Sequence, residues 1–157
     1  MIRAKIITCS DASSRGERED KSGPAVRDLL VTTGYDVTEI VIVPDEIDAI
    51  ANAIKDADER LIVTTGGTGI AARDVTPEAT LTVCERVIPG FGEVMRASAP
   101  MAALSRAQAA IRGTALVVNL PGSVKGAVEN LKAVLHLIPH ALDLLAGKTE
   151  HERPPRT

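Results

Sequence analysis

Leu61-Ile62-Val63-Thr64-Thr65-Gly66-Gly67-Thr68-Gly69 runs from an apolar, largely β-branched stretch straight into a turn with three glycines in four positions. Residues 61–64 read as a buried strand, because such side chains pack well on a pleated surface. The glycines end that strand in a concavity, where backbone N–H groups free of Cβ neighbours can converge on an anion. Thr65 and Thr68 add hydroxyl donors. The turn lacks the lysine of a P-loop and is not spaced Gly-x-Gly-x-x-Gly, so taken alone it reads equally well as a structural turn.

The residues on either side change that balance. Arg73-Asp74-Val75-Thr76-Pro77-Glu78 places a charged pair just ahead of a helix start, with Thr76 as expected cap and Pro77 at the first helical position. Leu81, Cys84 and Val87/Ile88 are that helix's expected apolar positions. An anion at its N-terminus would meet unpaired N–H groups and the helix dipole. Asp74 repels phosphate, so its position makes sense if Mg²⁺ lies between them; the competing reading is a local turn cap. Upstream, residues 37–43 alternate as a strand, and Pro44-Asp45 opens a helix with Ile47, Ile50, Ala51 and Ile54 on one face. Asp45 either caps that helix or reaches the same sheet edge as Asp74.

Residues 4–9 form another apolar strand, followed by a polar loop over residues 10–22. Ser22-Gly23-Pro24 starts a helix that carries Val26, Leu29 and Leu30 and stops at Gly34. Beyond the central turn, Pro89-Gly90-Phe91-Gly92 punctuates the chain before a helical stretch over residues 93–101. Residues 107–112 read as helix end or strand, and residues 115–120 as a strand ended by Pro121-Gly122. Val128, Leu131, Val134/Leu135, Ile138, Ala141/Leu142 and Leu145 mark a last helix, with a kink expected at Pro139. The alternation of strands and helices predicts one α/β domain over residues 1–147 and a charged, frayed tail over 148–157. The expected architecture is three αβα layers around a mainly parallel sheet with one strand antiparallel. In such sheets ligands gather beyond the carboxyl ends of strands, where strand order reverses.

Composition narrows the function. Among 157 residues, 18 Lys and Arg face 21 Asp and Glu, a net charge of -3 that does not suit a phosphate-backbone binder. Tyr35 and Phe91 are the whole aromatic complement, too few for a row of base-stacking side chains, so nucleic acid is not an expected partner. No apolar run approaches a membrane span and no secretory leader pattern opens the sequence, so a cytoplasmic location without membrane association is expected. Cys9 and Cys84 read as buried free thiols. His136 and His140 are four apart, but Pro139 lies between them and no third ligand matches, so they read as surface residues.

The run Thr65-Gly66-Gly67-Thr68-Gly69…Arg73-Asp74-Val75-Thr76-Pro77-Glu78-Ala79-Thr80 resembles the signature of the molybdopterin adenylyltransferases, the Mog/MoaB-like family related to the gephyrin N-terminal domain. Ser10-Asp11 with Asp20-Lys21-Ser22-Gly23-Pro24 is similar to its first loop, and Pro44-Asp45-Glu46 to its second. Pro89-Gly90-Phe91-Gly92, Leu104-Ser105-Arg106, Ile111-Arg112-Gly113 and Asn119-Leu120-Pro121-Gly122 follow in the family's order. The resemblance implies that a terminal phosphate of molybdopterin attacks the α-phosphate of ATP, with Mg²⁺ present. It implies Asp45 and Asp74 as the key carboxylates, for metal or for substrate orientation. It further implies Ser10, Asp11, residues 65–69 and Arg73 around the phosphates, Pro121-Gly122-Ser123 in the nucleotide pocket, and Ser105 and Arg106 on the pterin side. A homotrimer and a downstream molybdenum-insertion protein are the implied partners. A non-catalytic molybdopterin-binding or scaffolding module is the alternative. Ile70 and Val124 depart from the family pattern, standing where proline is common.

Overall fold

Three aliphatic strands lie side by side at the centre of the fold, in a computed structural model that describes residues 1–148. They are β1 (Ile2–Cys9), β3 (Leu61–Thr65) and β6 (Ala115–Leu120). With β2 (Tyr35–Val43), β4 (Arg86–Ile88) and β5 (Ala109–Arg112) they form one sheet in the order β2-β1-β3-β6-β5-β4. The first four strands in that order pair in parallel, whereas β5 runs antiparallel to both β6 and β4. The central strands are buried on both faces, which explains why they read as continuous apolar runs.

Strand alternation divides the core into two. Ala4, Ile6, Leu61, Val63, Leu116, Val118 and Leu120 face one side. There they meet α2 (Ser22–Thr32), α5 (Pro89–Arg96), α6 (Val124–Val134) and α7 (Ile138–Leu145), through residues such as Leu30, Met95, Leu131 and Ile138. Ile7, Cys9, Ile62, Ala115 and Val117 face the other side, against Ile50 and Ile54 of α3 (Ile47–Lys55) and Ala79 of α4 (Thr76–Val83). These are the three expected layers.

Several local expectations are corrected. The loop over residues 10–22 contains a one-turn helix, α1 (Asp11–Ser14), capped by Ser10, whose Oγ accepts the Ser13 N–H at 3.1 Å. The helix expected to include Cys84 and Val87/Ile88 ends at Val83, and Arg86–Ile88 is the edge strand β4, recruited by pairing with β5. Leu81 is exposed, and α4 instead buries Pro77, Ala79, Thr76 and Thr80. Pro89 opens α5 instead of preceding it, as its fixed φ allows at a first helical position. Within residues 107–112, Ala109–Arg112 form the strand β5. The last helix breaks at a 3₁₀ turn, Leu135–Leu137, and Pro139 stands in the first turn of α7. Cys9 is buried but Cys84 only partly so. Both His136 and His140 are exposed. The expected tail lies outside the described residues apart from Lys148. Among the described residues no helix is long and apolar enough to cross a membrane.

Candidate active site

From β1 the chain crosses to β2 at one edge of the sheet, while from β3 it crosses by way of α4 to β4 at the other edge, so the connections leaving their carboxyl ends diverge. A hollow of about 710 Å³ opens there, within the usual size range of small-molecule sites. Its walls come from the ends of β1 (Thr8, Cys9) and β3 (Thr65) and from the turns beyond four strands, including Ser10, Asp45, Gly66, Gly67, Asp74, Gly122 and Ser123.

The glycine turn is shaped by contacts that exclude side chains. Gly66 has φ +89° and a Cβ there would lie 2.3 Å from the Cys9 carbonyl oxygen; Gly67 has φ +68° and would strike Thr76 Oγ1 at 2.2 Å. A Cβ on Gly122, just beyond β6, would lie 3.2 Å from the Gly66 Cα. Each carbonyl of residues 66–69 is tied back to the protein. Thr76 Oγ1 donates to Gly66 O and Thr76 N–H to Gly67 O, at 2.9 and 3.0 Å. Arg106 N–H donates to Thr68 O and its Nε–H to Gly69 O, at 2.7 and 2.8 Å. Thr76 therefore holds the turn and does not cap α4, whose cap residue is Val75. The Gly66 N–H donates to Leu120 O at 3.0 Å, so that amide is already committed within the protein.

Beneath the turn lies a buried polar cluster. Asn119 Nδ2 donates to Thr64 Oγ1 and Thr80 Oγ1, both at 3.0 Å, and Thr80 Oγ1 donates to Thr76 O at 2.9 Å. These bonds fix the β3–β6–α4 junction on which the turn rests.

Asp45 and Asp74 both open into the hollow. Asp45 does not cap α3; its Oδ2 accepts the Asp11 N–H at 3.0 Å, while its Oδ1 is buried and has no hydrogen-bond partner among the described residues. Burial raises the Asp45 carboxyl above the ordinary range, and the charges of Asp11 and Asp74 add to that rise. Asp74 closes its own turn: Oδ2 accepts the Ala71 N–H and its N–H donates to Ala71 O, both at 3.0 Å. Asp11 receives a two-pronged pair from Arg73, with Nε and Nη2 each at 2.9 Å. That hydrogen bond holds the Asp11 carboxyl below the ordinary range. Thus Asp11 and Arg73 strap together the turns that carry Asp45 and Asp74, at the rim of the hollow.

Among the described residues no group of three or more His, Cys, Asp or Glu is arranged around one point. Mg²⁺ does not require one, because it commonly takes one or two carboxylates and fills its shell with water and substrate phosphates. The orphaned Asp45 Oδ1 beside Asp74 fits that use.

Residues 5–140 match the family described as "Probable molybdopterin binding domain". The chain belongs to this family. It is 45% identical over 156 residues to the molybdopterin adenylyltransferase of Helicobacter pylori, covering 93% of this chain and 89% of that one. To the molybdopterin adenylyltransferase of Escherichia coli it is 40% identical over 169 residues, with 93% and 86% covered. The crystal structure of the molybdopterin biosynthesis enzyme MoaB from Thermus thermophilus superposes with a TM-score of 0.89 at 46% identity, covering 94% of this chain and 98% of that one.

Within this family member, the hollow gathers Ser10, Asp45, Thr65, Gly66, Gly67, Asp74, Gly122 and Ser123 from the sequence-derived set. Asp11 and Arg73 stand as the strap, and Thr68, Gly69 and Pro121 form the turns behind the lining. Ser105 and Arg106 do not line the hollow: Ser105 Oγ accepts the Ala107 N–H at 3.2 Å, and Arg106 grips the glycine turn. Thr8, Ser13, Arg18, Asp20, Lys21 and Ser22 also line it without having been expected as site residues, although Asp20-Lys21-Ser22 stands in the run that resembles the family's first loop. Asp20 carried a legible signal: it sits three residues before Gly23 at a helix start, and its Oδ1 accepts the Gly23 N–H at 3.1 Å. Val124, one of the two departures, lines the hollow, whereas Ile70 is 72% exposed.

Proposed function

We propose that this chain transfers the adenylyl group of ATP to molybdopterin during molybdenum cofactor assembly. The observation that carries the reading is that Asp45 and Asp74 open into one hollow beside the glycine turn. The names of relatives that match nearly end to end support the same chemistry. A terminal phosphate oxygen of molybdopterin bonds to the α-phosphorus of ATP, and the bond from that phosphorus to the β-phosphate bridging oxygen breaks, releasing pyrophosphate. The substrate supplies the nucleophile, so the protein's task is positioning and charge neutralisation. The N-termini of α2 and α6 border the hollow through Ser22 and Ser123, and Arg18 and Lys21 offer cations for phosphate on a lining run they share with Glu19 and Asp20. Asp45 and Asp74 would hold Mg²⁺, which when bound neutralises phosphate charge and orients the leaving pyrophosphate. With two aromatic residues in the chain, adenine rests on backbone and aliphatic surface.

Three expectations from the family resemblance belong to this proposal: a homotrimeric assembly, a cytoplasmic setting, and delivery of the product to a molybdenum-insertion protein. Light scattering on the eluted protein checks the first. The activity itself is tested by incubating the protein with molybdopterin, ATP and Mg²⁺ and following pyrophosphate. Release is expected, and Asp74→Asn is expected to lower it by on the order of 100-fold while the fold persists. Binding of molybdopterin with no pyrophosphate release would favour the scaffolding alternative.

A further inference from the structure

Each of the four nitrogens of Arg106 donates a hydrogen bond to the protein itself. Its N–H and Nε–H hold the carbonyls of Thr68 and Gly69, and its Nη2 donates to the backbone carbonyl of Asp74 at 2.7 Å. The remaining Nη1 pairs with Glu78 on the first turn of α4. One guanidinium thus joins the entry of the excursion over residues 70–73 to its exit. The two ends are close, since a Cβ on Gly69 would lie 2.8 Å from Asp74 Oδ2. Arg106 is itself braced: Arg96 on α5 donates to the carbonyls of the residues on either side, Ser105 at 3.4 Å and Ala107 at 2.7 Å.

We propose that Arg106 is a positioning residue that fixes the Asp74 carboxylate by clamping the ends of its turn, and that it touches no substrate. The proposal rests on the reading that Asp74 serves adenylyl transfer. A planar fork with fixed donor directions is what spanning two carbonyls and a carboxylate demands, and a lysine ammonium cannot reproduce it. Position matters here because a shift of about 1 Å in a reacting group costs on the order of 100-fold in rate.

The test compares Arg106→Ala and Arg106→Lys with the unaltered protein, using pyrophosphate release and amide hydrogen exchange across residues 69–76. Both variants are expected to lose at least about 10-fold in kcat with KM for ATP changed less than about 2-fold, the pattern of a misplaced group. Adding either change to Asp74→Asn is expected to cost nothing beyond Asp74→Asn alone, because residues acting as one unit are not additive. Faster exchange at Ala71 and Asp74 is expected in both variants. A raised KM with unchanged kcat, or losses that add to those of Asp74→Asn, would overturn the proposal in favour of direct ligand contact. Unchanged exchange at Ala71 and Asp74 would overturn the clamp whatever the activity. Absence of pyrophosphate release from the unaltered protein would instead remove the adenylyl-transfer reading, leaving the exchange result to decide the clamp. Should Arg106→Ala not fold, Arg106→Lys carries the same comparisons, since it retains charge and stem while losing the fork.

Discussion

Asp11 and Asp45 exchange hydrogen bonds, each carboxylate accepting the other's backbone N–H at 3.0 Å. The turns after β1 and β2 are locked by this reciprocal pair, and Arg73 extends the lock to the turn after β3. The Asp11 carboxyl is lowered in the folded chain, first by the Arg73 hydrogen bond. A lowered folded value means that its stabilisation is present above the ordinary value of 3.8 and is lost as pH falls through the folded one. Urea denaturation of Asp11→Asn and the unaltered protein is therefore expected to show a stability gap at pH 7 that narrows on acidification below about pH 3.8. A gap that stays constant down to about pH 2.5 would argue against the Arg73 pairing as its source.

Gly66 and Gly113 both have positive φ, but they differ in what surrounds them. A Cβ on Gly113 meets nothing within 4 Å, whereas one on Gly66 runs into the Cys9 backbone at 2.3 Å. Gly113→Ala is expected to cost only the left-handed conformation, about 1–2 kcal/mol. Gly66→Ala is expected to cost roughly 3 kcal/mol or more, because backbone must move. Equal costs in chemical denaturation would mean that the β1–β3 approach is looser than these distances imply.

Asn119 is fully buried and serves two threonine hydroxyls at once. Asn119→Ala leaves those hydroxyls without their donor and opens a small void, for an expected loss of about 2–4 kcal/mol. Thermal melting with calorimetry checks this, and a loss below the cost of one hydrogen bond would show that water takes over the cluster.

The two thiols are expected to be slow toward an aromatic disulfide reagent at about pH 8. Burial pushes Cys9 up to about 12 and Cys84 up to about 11, so little thiolate forms at either. Cys84, being half-buried, is expected to react first, and urea is expected to release both. Immediate reaction of two thiols in the folded protein would contradict the burial of Cys9.

The sequence carried the parts of the fold that are decided locally. The runs now seen as β1, β3 and β6 are apolar enough to require burial on both faces, and Ser22-Gly23-Pro24 has a helix-start grammar of its own. The parts it hid are decided by tertiary pairing. Arg86-Val87-Ile88 has apolar residues compatible with continuing α4, and only the neighbouring β5 draws it into a strand. Ser10-Asp11-Ala12-Ser13 reads as polar loop, although the cap preference of serine was a usable sign of α1. At the candidate site, Asp45 and Asp74 were readable from their positions beside turn residues. Asp20 and Lys21 stand out only through the run that resembles the family's first loop, and Arg106 looks like a surface cation until its hydrogen bonds are seen. No local pattern states that an arginine 32 residues downstream closes the turn of Asp74.

The reversed direction of β5 has a practical outcome for engineering. Because that strand enters where its neighbours exit, the segment feeding it abuts the working rim, and the Gly113-Thr114 bend that leaves it lies at the far end of the molecule. Peptide tags or extra domains spliced at Gly113-Thr114 should be tolerated. The same additions at residues 100–105 should disable the protein without unfolding it.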